Sequence, residues 1–167
     1  MGSEWLKNMG GSHLEDEAMQ KIPYPKTELT VHVTTKTIQA FGLLGTVLVG
    51  PIVAVVRKDS RNWPGIKSKM TKCGRNGLFL GAFMGPFMVY MKIKNEEDPY
   101  KTWDRCYRLR YNRDQVRVDR ASVVGSLTGA AVGSATASGA MFGGLVGLST
   151  SIIAMAIYNN AILKKDK

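Results

Sequence analysis

Residues 121–163, ASVVGSLTGAAVGSATASGAMFGGLVGLSTSIIAMAIYNNAIL, decide the fold: from Ala121 to Leu163 the chain runs 43 residues without one charged side chain. As a single helix this stretch would be roughly 64 Å long at about 1.5 Å per residue, twice the ~30 Å hydrocarbon thickness of a bilayer. Two transmembrane helices joined by a tight turn fit that length. The stretch carries Gly125, Gly129 and Gly133, then Gly139, Gly143 and Gly147, both sets at four-residue spacing. Each set lines one helix face, and small residues on a face let helix backbones approach closely in lipid. The expected fold class is an all-α membrane protein packed through glycine-rich faces.

Outward from this stretch, the basic residues are segregated. None of the 23 Lys and Arg falls in 38–56, 77–91 or 121–163. The pattern predicts four spans, at 38–56, 77–91, 121–139 and 145–163, within one transmembrane domain over 37–163. Gly42 and Gly45 on the first span, and Gly77, Gly81 and Gly85 on the second, extend the packing faces. Both spans also hold a Gly-Pro step, tolerated where neighbouring helices satisfy the freed carbonyl. Residues 1–36 read as a polar tail, because Ile22-Pro23-Tyr24-Pro25 interrupts helix propagation. The β-branched run from Leu29 to Thr35 reads as an extended or interfacial approach to the membrane. Trp63-Pro64-Gly65 marks a turn within a basic loop over 57–76. Residues 92–120 form a charged connector with nine basic and six acidic side chains. From Thr102 onward it is amphipathic and faces either the membrane surface or a partner protein. Residues 164–167 are a basic tail that anchors a helix end, and Lys164-Lys165 also matches a dilysine endoplasmic-reticulum retrieval pattern.

The net charge of +10 is explained by basic residues flanking apolar spans, where they meet anionic lipid head groups. The chain lacks the basic platform with interleaved aromatics that stacks bases, so nucleic acid is not an expected partner. Cys73 and Cys106 have no CxxC spacing, and His13 and His32 lie in the N-terminal tail, so no metal site is expected. The cysteines read as two free thiols on opposite sides of the membrane, the alternative being one disulfide if both face an oxidising compartment. No span holds an interior Asp, Glu, His, Lys or Arg, and an enzyme or proton relay needs such groups in a shielded place. The chain is therefore expected to be no enzyme and to hold no cofactor. Thr128, Ser134, Thr136, Ser138, Ser149, Thr150 and Ser151 bond to their own helices or across an interface, or else line a polar path. The glycines lack the Lys and Ser/Thr of a phosphate loop. Glu4, Glu15, Asp16 and Glu17 interrupt any signal or transit peptide design. The density of basic charge favours the 57–76 loop as the positive-inside loop.

A family resemblance sits mostly in residues 100–133. Tyr100 is followed by Arg110-Tyr111-Asn112-Arg113-Asp114, then Ala121-Ser122, then Gly125-x3-Gly129-x3-Gly133. This order resembles the mitochondrial Tim translocase family, whose pattern links an aromatic residue to R-x3-D and to G-x3-G at the start of the third span. That family includes import channels and a four-helix accessory subunit of respiratory complex I. Ser122 stands at a usual glycine, and the Tyr100-to-Arg110 spacing is short. Both departures point to a divergent relative, and the complex I subunit fits best in size. The resemblance implies a multi-pass inner-membrane protein with its termini in the intermembrane space and the 57–76 loop in the matrix. It implies structural roles for Arg110 and Asp114, and contact with phospholipid, cardiolipin included. Arg57, Lys58, Arg105 and Arg108, together with Arg110, are the expected holders of lipid phosphates or partner carboxylates.

Overall fold

The computed structural model describes residues 3–12, 14–96 and 98–161. The end of the fourth span, the 164–167 tail with its dilysine pattern, and His13 lie outside them. The protein is all-α, and every regular element among the described residues is helical. Two short helices, α1 (Ser3–Gly10) and α2 (Asp16–Gln20), precede α3 (Pro25–Leu43). A π-helical segment, Leu44–Val49, joins α3 to α4 (Gly50–Val56) without a break. Then come α5 (Trp63–Ile93), α6 (Pro99–Tyr111), α7 (Arg113–Ala135) and α8 (Ala140–Ala161).

Three proline positions explain where sequence expectation and structure part. Pro25 and Pro64 stand in the first turns of α3 and α5, where a missing N–H costs nothing and a fixed φ helps. Residues 25–36 are therefore helical rather than an extended tail. Trp63-Pro64-Gly65 starts a 31-residue helix capped by Asn62, whose Oδ1 accepts from the Gly65 N–H at 2.8 Å. At Pro51 the chain stays helical by widening the turn ahead of it: the Gly50 N–H bonds to Gly45 O, five residues back. The π-turn shifts the hydrogen-bond register just before the ring that would otherwise clash. The 92–120 connector is likewise helical over most of its length, as α6 and the start of α7.

The long helices form two antiparallel hairpins, each closed by glycine. In the first, Gly45 lies on the Cys73–Gly74 backbone, Gly50 on Met70, Gly77 on Phe41 and Gly81 on Thr37–Ile38, while Gly85 meets Thr34. A Cβ at Gly81 would sit 2.5 Å from Thr37 O and 2.6 Å from Ile38 Cα. Gly42 receives the side chains of Leu78 and Leu148. In the second hairpin, Gly125, Gly129 and Gly133 of α7 meet Gly147, Gly143 and Gly139 in reverse order. The two stripes are thus spent on each other, inside the molecule. Gly139 differs from its neighbours in the stripe. Nothing lies within 4 Å of a Cβ built there, and its φ of +85° makes it the turn residue between α7 and α8. It is needed for backbone conformation, not for the lack of a side chain against a neighbour.

Small and polar residues fill the interior between the hairpins. Ala54, Thr46, Ser122, Leu145 and Ser149 are buried. The large apolar side chains point outward, on α4 (Ile52, Val55), α5 (Phe79, Phe83), α7 (Val124, Leu127) and α8 (Ile153, Ile157), with Phe83 at 73% and Leu127 at 67% exposure. Of the four expected spans, two helices are long and apolar enough by composition to cross a bilayer: Pro25–Val56 and Ala140–Ala161. The first half of α5 carries Lys67, Lys69, Lys72 and Arg75, and α7 is dominated by Gly, Ser, Thr and Ala. Those residues dilute both helices below the mark.

Two substitutions in one hairpin test this packing. Gly129→Ala drives a methyl into the Gly143 carbonyl, and backbone cannot yield as a side-chain tip can. The expected cost is about 1–3 kcal/mol. A Cβ at Gly144 meets only ordinary contacts, the nearest Ser126 O at 3.4 Å. Gly144→Ala should therefore be neutral or stabilise by up to about 1 kcal/mol through helix propensity. Thermal unfolding of both variants in the same detergent checks the contrast.

Candidate functional site

At its N-terminal half, α3 presents one polar face: Glu28, His32, Lys36 and Gln39, spaced as i, i+4, i+8 and i+11. At 3.6 residues per turn these four stack along a single stripe. Their partners come from the α6–α7 corner. Glu28 takes Arg110 in a fork-to-fork pair, with Nε to Oε1 at 2.6 Å and Nη2 to Oε2 at 2.7 Å. The pair is almost fully withdrawn from solvent, with side-chain exposures of 1% for Arg110 and 8% for Glu28. The remaining nitrogen of Arg110, Nη1, donates to Met19 O and Lys21 O at 3.1 Å. One guanidinium therefore ties together α2, α3 and α6. Planar guanidinium donors suit this task because several can be satisfied at once in fixed directions.

About two turns further along the stripe, Lys36 Nζ donates to Asp119 Oδ1 at 2.6 Å, and Gln39 Nε2 donates to the same oxygen at 2.8 Å. Gln39 also reaches Ser122 Oγ at 2.8 Å. Ser122, at the place where the resembled family has glycine, thus supplies an acceptor between α3 and α7. Between these two clusters lies a cavity of about 10 Å³ lined by Glu28, His32, Cys106, Arg110 and Asp119. That is space for about one water molecule.

Cys106 closes the same region, its Sγ donating to Pro25 O at 3.1 Å. Burial pushes its thiol up to about 12, with a further contribution from the nearby Glu28 carboxylate. Among the described residues both cysteines are free thiols. On the outer side of α6, Tyr100, Trp103, Tyr107 and Tyr111 form a ladder with successive ring centroids 5.4, 5.4 and 4.7 Å apart. Tyr111 ends it, its hydroxyl donating to Asp16 at 2.6 Å.

The residues expected at lipid or partner contacts separate into three groups. Arg57 and Lys58 are exposed at the end of the first hairpin's turn. Arg105 and Arg108 are engaged locally, with Glu96 at 3.2 Å and with Asp104 one turn back. Arg110 is buried against Glu28 and reaches no surface, so its expected lipid contact is corrected to an internal joint. Asp114 does not pair with Arg110. Its carboxylate meets Arg117 at 2.9 Å, and its carbonyl accepts from Asn159 at 3.2 Å. Glu28, Lys36, Gln39 and Asp119 were absent from the sequence-based set. The helical spacing of Glu28, Lys36 and Gln39 is the available signal, and it is lost when 1–36 is taken as a tail. Asp119 carries no such signal, because its partners are some 80 residues away.

The hydroxyls of α7 and α8 are mostly turned to their own helices. Thr128 donates to Val124 O at 2.9 Å, Ser134 to Ala130 O at 2.9 Å and Ser149 to Leu145 O at 2.8 Å. Beside the glycine contact a groove of about 490 Å³ remains, with Thr128, Thr136, Ser138, Thr150 and Ser151 among its walls.

The chain belongs to a family described as protein of unknown function (DUF1757), whose model matches residues 5–158. No curated protein matches it. The family description states no activity or partner, so the likeness to the Tim translocase family rests on the motif residues alone.

Two outcomes follow from the buried cluster. Glu28→Gln leaves the Arg110 charge buried and unpaired, and should cost about 3–5 kcal/mol in unfolding experiments. Cys106 ionises in the unfolded chain near the ordinary value of about 8.5 but stays protonated in the fold. Its contribution is therefore complete below that value and is lost as pH rises from there toward 12. Comparing unfolding at about pH 7 and about pH 10, Cys106→Ala should lose less stability than the parent chain.

Proposed function

We propose that this chain is a non-catalytic structural accessory subunit of mitochondrial respiratory complex I (NADH:ubiquinone oxidoreductase). In this reading it is a four-helix protein of the inner membrane that stabilises the membrane arm by helix packing and lipid contacts. The observation that carries the membrane part is the reversal of side-chain placement. Gly, Ala, Ser and Thr lie between the helices, while Phe79, Phe83, Leu127 and Ile157 point outward from helices of both hairpins. Lipid accepts that exterior and water does not. The outward apolar residues of α5 and α7 support four crossings, although composition alone picks out only two helices.

The structural role is supported by how polar groups are used. The buried ions of the α3 stripe bond to one another, and the cavity of about 10 Å³ between Glu28, Arg110 and Asp119 has room for about one water molecule. The glycine faces join helices of this chain to each other, so partner subunits would meet the outer apolar faces instead. The choice of complex I rests on the motif likeness.

Gentle solubilisation of mitochondria, followed by native electrophoresis and detection of this chain, tests the proposal. Co-migration with NADH dehydrogenase activity is expected. Migration elsewhere, or absence from mitochondria, would overturn it. A second reading, a component of a protein translocase or channel, draws on the hydroxyl-bearing groove of about 490 Å³ between α7 and α8. Single cysteines placed through 121–140 should then react with a water-soluble thiol reagent along the groove side only, and uniform protection would rule it out.

A further inference from the structure

Arg113, Arg117 and Arg120 stand at i, i+4 and i+7 on the first turns of α7, so they share one face. With Arg110 they line one side of a concave pocket of about 270 Å³ whose other side is the α1–α2 segment, including Asn8 and Asp16. The volume is several times the roughly 30 Å³ share of one water molecule. It is distinct from the buried cluster on α3, which Arg110 serves from the opposite side.

The charges in this pocket do not balance. Arg110 is neutralised by Glu28, and Arg117 by Asp114. Arg113 is exposed and has no ion pair or hydrogen bond among the described residues. Arg120 has no carboxylate partner among the ion pairs of the described residues. One of its terminal nitrogens donates to Asn8 O, and Gly11, at a φ of +103°, curves the backbone over the guanidinium. A Cβ at Gly11 would lie 3.1 Å from Arg120 Nη1. Arg120 Nε is shut off from solvent and has no acceptor among the described residues. A buried donor without a partner costs about 1–3 kcal/mol. The carboxylate that lines the pocket, Asp16, already accepts from Tyr111. In addition, Arg113 and Arg117 sit at the positive end of the α7 dipole, where cations are disfavoured. An anion in the pocket counters the unpaired charges of Arg113 and Arg120 and the unfavourable placement of Arg113 and Arg117 at the helix start.

The geometry points to a phosphate-binding site, in which the pocket between the α1–α2 segment and the start of α7 takes a phosphate ester through Arg113 and Arg120. Arg117 joins as a third donor, because its exposed pair with Asp114 is worth little. Three guanidinium groups around one volume call for more acceptor oxygens than the two of a carboxylate, and match a phosphate. Immediately beyond Arg120, α7 displays Val123, Val124 and Leu127 at 50%, 59% and 67% exposure. A phosphate held here lies at the edge of the apolar belt, so the ester substituent is either a lipid tail along α7 or a small polar group in solution. The site does not depend on which assembly the chain joins.

The full chain in dodecyl maltoside micelles provides the test. Calorimetric titration with glycerol 3-phosphate at constant ionic strength probes the soluble source. Lysophosphatidate mixed into the micelles, against lysophosphatidylcholine as control, probes the lipid source. Binding of either phosphate ester supports the site, and the arm that binds identifies the source. Arg113→Gln, which breaks no contact in the fold, should weaken that binding about tenfold. Arg75→Gln, exposed on α5 and outside the pocket lining, should leave it unchanged. No binding in either arm, an unaltered affinity in Arg113→Gln, or an equal loss in Arg75→Gln overturns the proposal. Because no partner complex enters the experiment, its result is separate from that of the native gel.

Discussion

Backbone-to-backbone contact at glycine is the constraint from which the rest of this structure follows. Where Gly129 meets the Gly143 carbonyl and Gly81 meets Thr37, helices approach too closely for any side chain to lie between them. Apart from a few such as Leu145 and Leu148, the large apolar residues of these helices are then left pointing outward. Phe83, Leu127 and Ile157 are exposed for the same reason that Thr46 and Ser122 are buried. One packing choice thereby sets both the interior and the exterior of the fold.

Close packing of this kind gives affinity between helices but little direction. Direction comes from the polar stripe on α3. Glu28 with Arg110, and Lys36 and Gln39 with Asp119 and Ser122, fix the rotation of α3 against the α6–α7 corner, because a helix turned away would leave charges buried without partners. The ionic pairs lie at one end of the bundle, in residues flanking the uncharged runs. They join the first hairpin to the second without placing a charge midway along either. The short N-terminal helices are held by the same guanidinium, through the carbonyls of Met19 and Lys21. The pocket beneath them is a consequence of that attachment.

The prolines show how local rules were both followed and misread. Pro25, Pro64 and Pro99 all occupy first-turn positions, where the ring is at home. Read as a breaker, Pro25 hid the start of α3 and with it the helical spacing of Glu28, His32, Lys36 and Gln39. Read as a turn, Trp63-Pro64-Gly65 hid about the first four turns of α5. Arg110 carried a family motif, yet its burial could not be read from R-x3-D, because its partner is Glu28, 82 residues away in the chain.

By itself the sequence determined the helical class, the uncharged runs that build the long helices, and the faces along which they meet. All three are local properties: spacing at four residues puts glycines on one side of a helix whatever surrounds it. Tertiary structure alone decided what those faces touch. It turned the stripes of α7 and α8 on each other, made Gly139 the turn residue between them, took Arg110 from the surface to an internal joint, and left Arg113 and Arg120 without a counter-charge among the described residues. Each of these depends on residues far apart in the chain meeting in space, which periodicity along one helix does not encode.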